Sequence, residues 1–131
     1  MLRAADTGTV GRVACQPSAT PSPARGLDAD SRRWLEDLNG DRQTRNAAIV
    51  RLHELLLRAA RFEVARRRGA MPHLRGGDHD DLAQQAADDA LVAVLAKLDD
   101  FRGDSRFTTW AYKFALYEAA VKLRRHAWQD R

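Results

Sequence analysis

Residues 107–128 read FTTWAYKFALYEAAVKLRRHAW, and the spacing of large apolar residues in this stretch decides the fold. One set recurs at intervals of three, four, three, four and seven, which predicts one face of an α-helix; it comprises Phe107, Trp110, Phe114, Tyr117, Val121 and Trp128. A second apolar face comprises Tyr112, Leu116, Ala119 and Leu123. Such a helix either packs on both sides inside a bundle or keeps its aromatic side for a ligand.

The chain before this helix repeats apolar residues every three or four positions, without the alternation of a strand. This pattern predicts a first helix over 31–38, ended by Gly40. A second helix is predicted over 42–68, with Asp41 as its N-cap.

A loop then separates the second helix from a third, because glycine and proline interrupt the helical pattern at Gly69, Pro72, Gly76 and Gly77. The third helix is predicted to begin at Asp78, with apolar positions that run to Leu98. A short break follows, and Ser105 or Thr108 is expected to cap the fourth helix.

The N-terminal segment differs from the rest of the chain in composition. Glycine and proline are scattered through positions 1–29 among small and polar residues, which predicts a disordered tail. Positions 30–131 are predicted to form one all-α domain, a compact bundle of about four helices.

Charge is distributed unevenly along this chain of net charge +4. Residues 1–40 have no net charge, 41–77 carry +6, 78–100 carry −6 and 101–131 carry +4. An acidic block between two basic ones indicates either two different partners or an acidic face that balances basic residues within the protein. The basic segments would suit nucleic acid.

Several classes of protein are excluded by what the sequence lacks. There is no apolar run of membrane-spanning length and no apolar block of a secretory signal, so we expect a cytoplasmic protein without membrane contact. Cys15 is the only cysteine, which excludes an internal disulfide and a cysteine-based zinc site.

The sequence shows no recognisable catalytic or cofactor-binding motif. One group of potential metal ligands lacks the spacing of a metal site, and its aspartates are better explained as a helix start; it comprises His73, Asp78, His79, Asp80 and Asp81. We therefore expect no metal, no cofactor and no enzymatic activity.

Residues 101–115, FRGDSRFTTWAYKFA, resemble the signature F-R-G-x-x-x-F-x-T-W-x-Y-[RK]-[IF]-A of the sigma-70 family of transcription initiation factors. The most similar group is the small extracytoplasmic-function (ECF) one. Two shorter motifs agree: Leu123-Arg124-Arg125 matches the family's L-R-R, and Asp81-Leu82-Ala83-Gln84 its D-L-x-Q. The resemblance covers residues 31–131 and only the family's second domain.

The resemblance implies that loop 101–107 and the start of the fourth helix bind the non-template strand of the promoter −10 element, where a flipped base is read and stacked. Trp110 would support the flipped base. Phosphate contacts would come from Arg102 and Arg106, and base-edge contacts from Asp104, Ser105, Thr108 and Thr109. The upstream duplex edge would meet Lys113, Tyr117, Lys122, Arg124 and Arg125.

The resemblance also implies that the acidic third helix docks on the coiled coil of the RNA polymerase β′ subunit. The residues carried over to this role are Asp81, Leu82, Gln84, Gln85, Asp88 and Asp89. An anti-sigma protein is a further partner that the family implies. An acidic helix is expected to be steered toward a basic partner.

This chain departs from the family pattern at several positions. Lys113-Phe114 replaces two adjacent tryptophans of housekeeping members, which implies stringent promoter choice, and Tyr117 and Val121 stand where relatives often have Asn and Asp. The distance from Asp81 to Phe101 is about one helical turn longer than usual. Either the third helix is extended, or the docking residues shift toward Asp88 and Asp89.

No segment of this sequence corresponds to the family's C-terminal helix-turn-helix domain, so the chain is either an excised domain or a naturally short protein, and we expect weak duplex binding and dependence on polymerase. Two other functions remain open. The domain could be a protein-interaction module that binds polymerase or an anti-sigma protein without productive DNA contact. It could also be a basic helical protein that binds duplex DNA irrespective of sequence, with a steep salt dependence.

Overall fold

The computed structural model describes residues 27–67 and 76–129, and over these ranges it is a bundle of four α-helices without strands. The helices are α1 (Ala29–Leu38), α2 (Arg42–Arg67), α3 (Gly76–Ala96) and α4 (Phe107–Gln129), with a short 3₁₀ helix at Leu98–Asp100 after α3. The predicted all-α bundle is confirmed. Predictions for residues 1–26, for Gly69, Pro72 and His73 and for Cys15 lie outside the described residues.

Helix boundaries differ from the predictions by one or two residues at most places. Helix α1 begins at Ala29, two residues before the predicted start, because the carboxylate of the N-cap residue Asp28 accepts the Ser31 N–H at 3.1 Å. The predicted cap of α2 is confirmed, since Asp41 Oδ1 accepts the Thr44 N–H at 2.8 Å. Helix α3 begins at Gly76 rather than at Asp78, so the predicted loop ends sooner.

The predicted cap of α4 is wrong. Arg106 is the first residue whose carbonyl joins the helix, accepting the Trp110 N–H at 3.0 Å, while the Ser105 hydroxyl donates to the Arg106 carbonyl. The buried N–H of Phe107 instead donates to Ser31 Oγ of α1, at 2.8 Å. A hydroxyl from a distant part of the chain thus satisfies a donor that every helix start leaves unpaired.

Helices α2, α3 and α4 pack against one another in pairs, and α1 packs on α2 and on the start of α4. Their apolar residues form two clusters. The larger cluster holds Leu38, Leu52, Leu56, Val94 and Phe107, which are among the largest fully buried side chains. The smaller cluster lies where α2 and α4 end and α3 begins, and includes Ala60, Val64, Leu82, Ala86 and Leu123.

The most deeply buried face of α4 overlaps the predicted second apolar face, through Ala119 and Leu123, and extends from it toward the predicted aromatic face. Ala111, Ala115 and Ala119, spaced by four, are fully buried. The aromatic face is packed where α4 begins but exposed further along, since Tyr117 is 66% exposed. Small side chains let the backbones of α3 and α2 approach α4 closely, because no bulky group separates them.

None of the helices in residues 27–67 and 76–129 has the length and apolar character needed to cross a membrane.

Candidate nucleic-acid and protein interfaces

A continuous cluster of aromatic rings joins α1, the loop after α3 and the first turns of α4. Trp34 stacks on Phe107 with ring centroids 5.4 Å apart, and Phe107 lies 5.7 Å from Trp110. Phe101 contacts both Phe107 and Trp110, at 5.5 and 5.2 Å, and Phe114 meets Trp110 at 4.8 Å. Contacts on several sides hold the Trp110 ring in one orientation.

Beside Trp110 lies a cleft of about 530 Å³, formed mainly by loop 101–107. Its lining residues are Asp100, Phe101, Arg102, Asp104, Ser105 and Trp110. Four of these, Arg102, Asp104, Ser105 and Trp110, are residues that the sequence placed in a DNA-binding site. The loop turns at Gly103, which has a φ of 82°. Glycine adopts this conformation without strain because it has no Cβ.

The chemistry of the cleft suits a planar ring with polar edges. Trp110 and Phe101 are half-buried and supply an aromatic wall, while the charged side chains of Arg102 and Asp104 are exposed. Guanidinium N–H groups can donate to phosphate, and the Asp104 carboxylate and Ser105 hydroxyl can bond to a base edge. The volume is within the usual range of ligand sites, about 300–1,000 Å³.

The remaining DNA-binding residues predicted on α4 fall into three places. Arg106, Thr108 and Thr109 lie around its start, with Arg106 and Thr109 exposed. A row of exposed side chains follows along the helix, comprising Lys113, Tyr117 and Arg124. Arg125 is exposed near the end of α4 and, with Arg124, lines a second cleft of about 520 Å³ beside Val121, Ala127 and Trp128.

Lys122 does not belong to the exposed row of Lys113, Tyr117 and Arg124. Its side chain is only 8% exposed, and its Nζ lies 2.6 Å from Asp89 Oδ2 and 3.2 Å from Glu118 Oε1. Burial alone would lower the pKa of Lys122, but the bonds to Asp89 and Glu118 outweigh burial and raise it. Lys122 was predicted to bind DNA and Asp89 to bind polymerase, yet in this structure they bind each other.

Carboxylates of α3 also pair with basic groups of α2. Asp88 Oδ1 lies 2.8 Å from His53 Nε2, and Asp80 Oδ1 lies 3.2 Å from the Arg61 guanidinium. Together with the Asp89–Lys122 pair, these contacts show that part of the acidic block balances basic residues within the bundle. This was one of the two explanations that the charge distribution left open.

The outer face of α3 remains accessible along its length. Its exposed residues at helical spacing are Asp81, Gln85, Asp88, Asp89 and Val92. Val92 is 68% exposed, a large apolar side chain among acidic ones. Two other predicted docking residues lie elsewhere, because Leu82 is buried in the smaller cluster and Gln84 is half-buried. Asp81 and Gln85 from one proposed register and Asp88 and Asp89 from the other fall on this one face.

Sequence reasoning missed Ser31 and Trp34, two residues of α1 that hold the site together. Ser31 is fully buried and accepts the Phe107 N–H, while Trp34 supports the Phe107 ring. Arg51 of α2 covers Trp34 at 4.8 Å from the ring centroid, a cation–π contact. The aromatic character of Trp34 was a usable signal, but nothing in the local sequence marks Ser31.

Within residues 27–67 and 76–129, no three His, Cys, Asp or Glu side chains converge in a way that could hold a metal ion. Comparison with protein-family models, curated proteins and solved structures found no match to this chain.

Proposed function

We propose that this chain is a promoter-recognition domain of the sigma-70 type, which binds core RNA polymerase and takes a flipped base of the −10 non-template strand beside Trp110. One observation carries the proposal. The signature residues Arg102, Asp104, Ser105 and Trp110 line a single cleft with an aromatic wall and a charged rim.

The cleft would act by holding an unpaired base after the duplex has opened. Stacking of a base on an aromatic side chain contributes about 1–3 kcal/mol, and extrusion of a base costs a few kcal/mol. Trp110 therefore offsets much of this cost, and Asp104 and Ser105 add selectivity through the base edges. Arg102 neutralises a neighbouring phosphate, and Lys113 and Arg124 continue the contact along α4.

The outer face of α3 is the proposed surface for polymerase. Asp81 and Gln85 are exposed there. Val92 is also exposed, and the aliphatic parts of lysine and arginine side chains on a basic coiled coil could cover it. Lys122 has a supporting role in this proposal, since its bond to Asp89 fixes α3 against α4. Polymerase would thus bind α3 and DNA would bind α4, and the Lys122–Asp89 ion pair connects these two helices.

A second candidate is a protein-interaction module without productive DNA contact. Val92 favours it, because this side chain is 68% exposed within an acidic face. The acidic face that surrounds Val92 could steer a basic protein partner whether or not DNA is bound. Under this proposal the cleft beside Trp110 has no role in activity.

A fork-junction probe with an exposed non-template −10 strand distinguishes the promoter-recognition domain from the protein-interaction module. Binding of the fluorescent probe is measured for the protein alone, for core polymerase alone and for the mixture, with specific and randomised −10 sequences. We expect sequence-dependent binding in the mixture only. Trp110→Ala should weaken it by about 1–3 kcal/mol, which is roughly 5- to 150-fold in Kd.

Matched variants control for folding and charge. Trp110→Phe retains an aromatic ring and should keep most of the binding, and circular dichroism checks that each variant is folded. Arg102→Gln should weaken binding, whereas Arg42→Gln, an exposed arginine at the first position of α2, should not. If folded Trp110→Ala and Arg102→Gln both bind like the unmodified chain, the interaction-module function replaces the proposal.

A further inference from the structure

A carboxylate is buried near the end of α2, where the helix otherwise presents apolar residues to the bundle. The Glu63 side chain is 4% exposed and lies next to buried Val64. Arg66 donates to both Glu63 oxygens, from Nε at 3.1 Å and from Nη2 at 3.0 Å. Arg67 Nε donates to Glu63 Oε2 as well.

Stability alone does not explain a charged group at this position. Burial would raise the pKa of Glu63, but the hydrogen bonds from Arg66 and Arg67 outweigh burial and hold it below its ordinary value. The carboxylate is therefore ionised at neutral pH. A buried carboxylate is costly to desolvate even when it is paired, so core packing alone would not favour an ionised glutamate at position 63.

The arrangement does fix two guanidinium groups at the surface. The side chains of Arg66 and Arg67 are 56% and 41% exposed although both are held by Glu63. A guanidinium has five N–H groups, and the bonds to Glu63 use two of those of Arg66 and one of those of Arg67. The rest can bind an anion, and the two side chains have already lost the freedom that binding would otherwise cost.

The end of α2 lies beside the end of α4, which carries two further arginines. Val64 and Leu123 belong to the same buried cluster, and Ala127 packs against it. Arg124 and Arg125 are exposed on this part of α4. Four arginines from two helices therefore occupy one end of the bundle.

We propose that Glu63 is a positioning residue that presents Arg66 and Arg67 as a fixed pair for the backbone phosphates of double-stranded DNA, at the end of the bundle that also carries Arg124 and Arg125. The choice of DNA rests on the proposed function, in which α4 already meets the duplex. Duplex DNA carries one negative charge per ~1.7 Å of its axis, so several exposed guanidinium groups at one end of the bundle can meet more than one phosphate at once. A small phosphorylated molecule would need a more enclosed site.

The test uses the full chain without polymerase and a short fluorescent duplex that lacks a −10 sequence. The affinity is measured by anisotropy over a range of salt concentrations. Each phosphate contact contributes about 0.9 to the slope of log K against log salt, so Arg66→Gln/Arg67→Gln should lower the slope by about 2. Arg61→Gln is the matched control, since Arg61 is 52% exposed on the same helix and pairs with Asp80.

Glu63→Gln distinguishes fixed geometry from charge. This variant makes the protein more positive, so charge alone predicts tighter duplex binding, whereas loss of positioning predicts weaker binding with Arg66 and Arg67 intact. We expect weaker binding, with the helical content unchanged. Arg66→Lys/Arg67→Lys, which retains both charges, should also bind more weakly because lysine cannot form the two-pronged bond to Glu63.

The proposal is overturned if the double Gln variant has the slope of Arg61→Gln, if Glu63→Gln binds more tightly than the unmodified chain, or if the unmodified chain does not bind duplex at low salt. Trp110→Ala should keep the duplex slope while losing the polymerase-dependent fork binding. The two failures are therefore separable: fork binding that Trp110→Ala leaves intact counts against the proposed function, and an unchanged duplex slope in Arg66→Gln/Arg67→Gln counts against the arginine pair.

Discussion

Replacing Ser31 by alanine tests the contact that joins α1 to the beginning of α4. Ser31 is fully buried, and its hydroxyl accepts the buried Phe107 N–H at 2.8 Å and donates to Asp28 Oδ1 at 2.5 Å. Alanine has nearly the same volume, so it leaves no large cavity. The main effect is that the Phe107 N–H loses its partner in a place that water does not reach.

The expected cost follows from that one unpaired donor. A buried donor without a partner costs about 1–3 kcal/mol. We assign no loss to the bond with Asp28, because that carboxylate is partly exposed and water can replace the hydroxyl. The free energy of unfolding should therefore fall by about 1–3 kcal/mol, and the Tm by roughly 4–8 °C for each kcal/mol in a domain of this size.

Urea unfolding followed by circular dichroism measures this loss. Ser105→Ala is the matched control, since the Ser105 hydroxyl is half-exposed and donates only to the neighbouring Arg106 carbonyl. We expect the control to remain within about 0.5 kcal/mol of the unmodified protein. Equal stability of Ser31→Ala and Ser105→Ala would refute the argument that the serine of α1 completes the start of α4.

Three further predictions concern the packing of α4, the ionisation of Glu63 and the conformation of Gly103. Ala111→Leu should destabilise the fold by about 1–3 kcal/mol in urea unfolding, because the bulkier side chain has no space. Thr109→Leu on the exposed side should be nearly neutral, and equal effects would contradict close packing of α4. Glu63, whose pKa is lowered in the folded state, should stabilise the protein above pH 4.5 and lose this contribution as the pH falls through its folded value. The unfolding free energies of the unmodified chain and Glu63→Gln should therefore converge in acid, and parallel curves would contradict an ionised Glu63. Gly103→Ala should cost about 1–2 kcal/mol, because a residue with a Cβ is strained at positive φ. It should also weaken fork-junction binding in the mixture with polymerase, and unchanged values of both would show that the loop tolerates another conformation.

The four helices could be predicted because their signals are local. Apolar spacing, the carboxylate of Asp41 and the interruptions by glycine all act within a few residues of the helix that they define. Arg102, Asp104, Ser105 and Trp110 were grouped by their resemblance to a contiguous family motif, and the structure brings them to one cleft. Their DNA-binding role stays a prediction.

The features that were missed depend on other helices. No local pattern could indicate that the N–H of Phe107 bonds to Ser31, because the two residues are 76 positions apart. The pairing of Lys122 with Asp89 is likewise a contact between α4 and α3. A lysine on a helix near two arginines predicts a cationic surface, and only the packing of α3 shows that this lysine faces inward.

Part of the buried face of α4, at Ala111 and Ala115, was missed for a different reason. Hydrophobic patterning gives most weight to large residues, so it drew attention to Trp110 and Leu116. The helix is instead packed most closely at Ala111 and Ala115, where small volume permits contact between backbones. Close packing depends on the side chains of both facing helices, so the sequence of one helix does not show which of its small residues will be buried.

The hydrogen bond between Ser31 and Phe107 also determines when the aromatic cluster can form during synthesis of the chain. Synthesis proceeds from the N-terminus, so α1 leaves the ribosome long before α4 exists. Until α4 arrives, Ser31 and Trp34 lack their partner in it, and the aromatic cluster with its cleft cannot form. Since this contact spans a long stretch of chain, we expect a nascent chain that ends before Phe107 to contain helices but not the cleft beside Trp110. The site is thus completed only when the fourth helix has been translated.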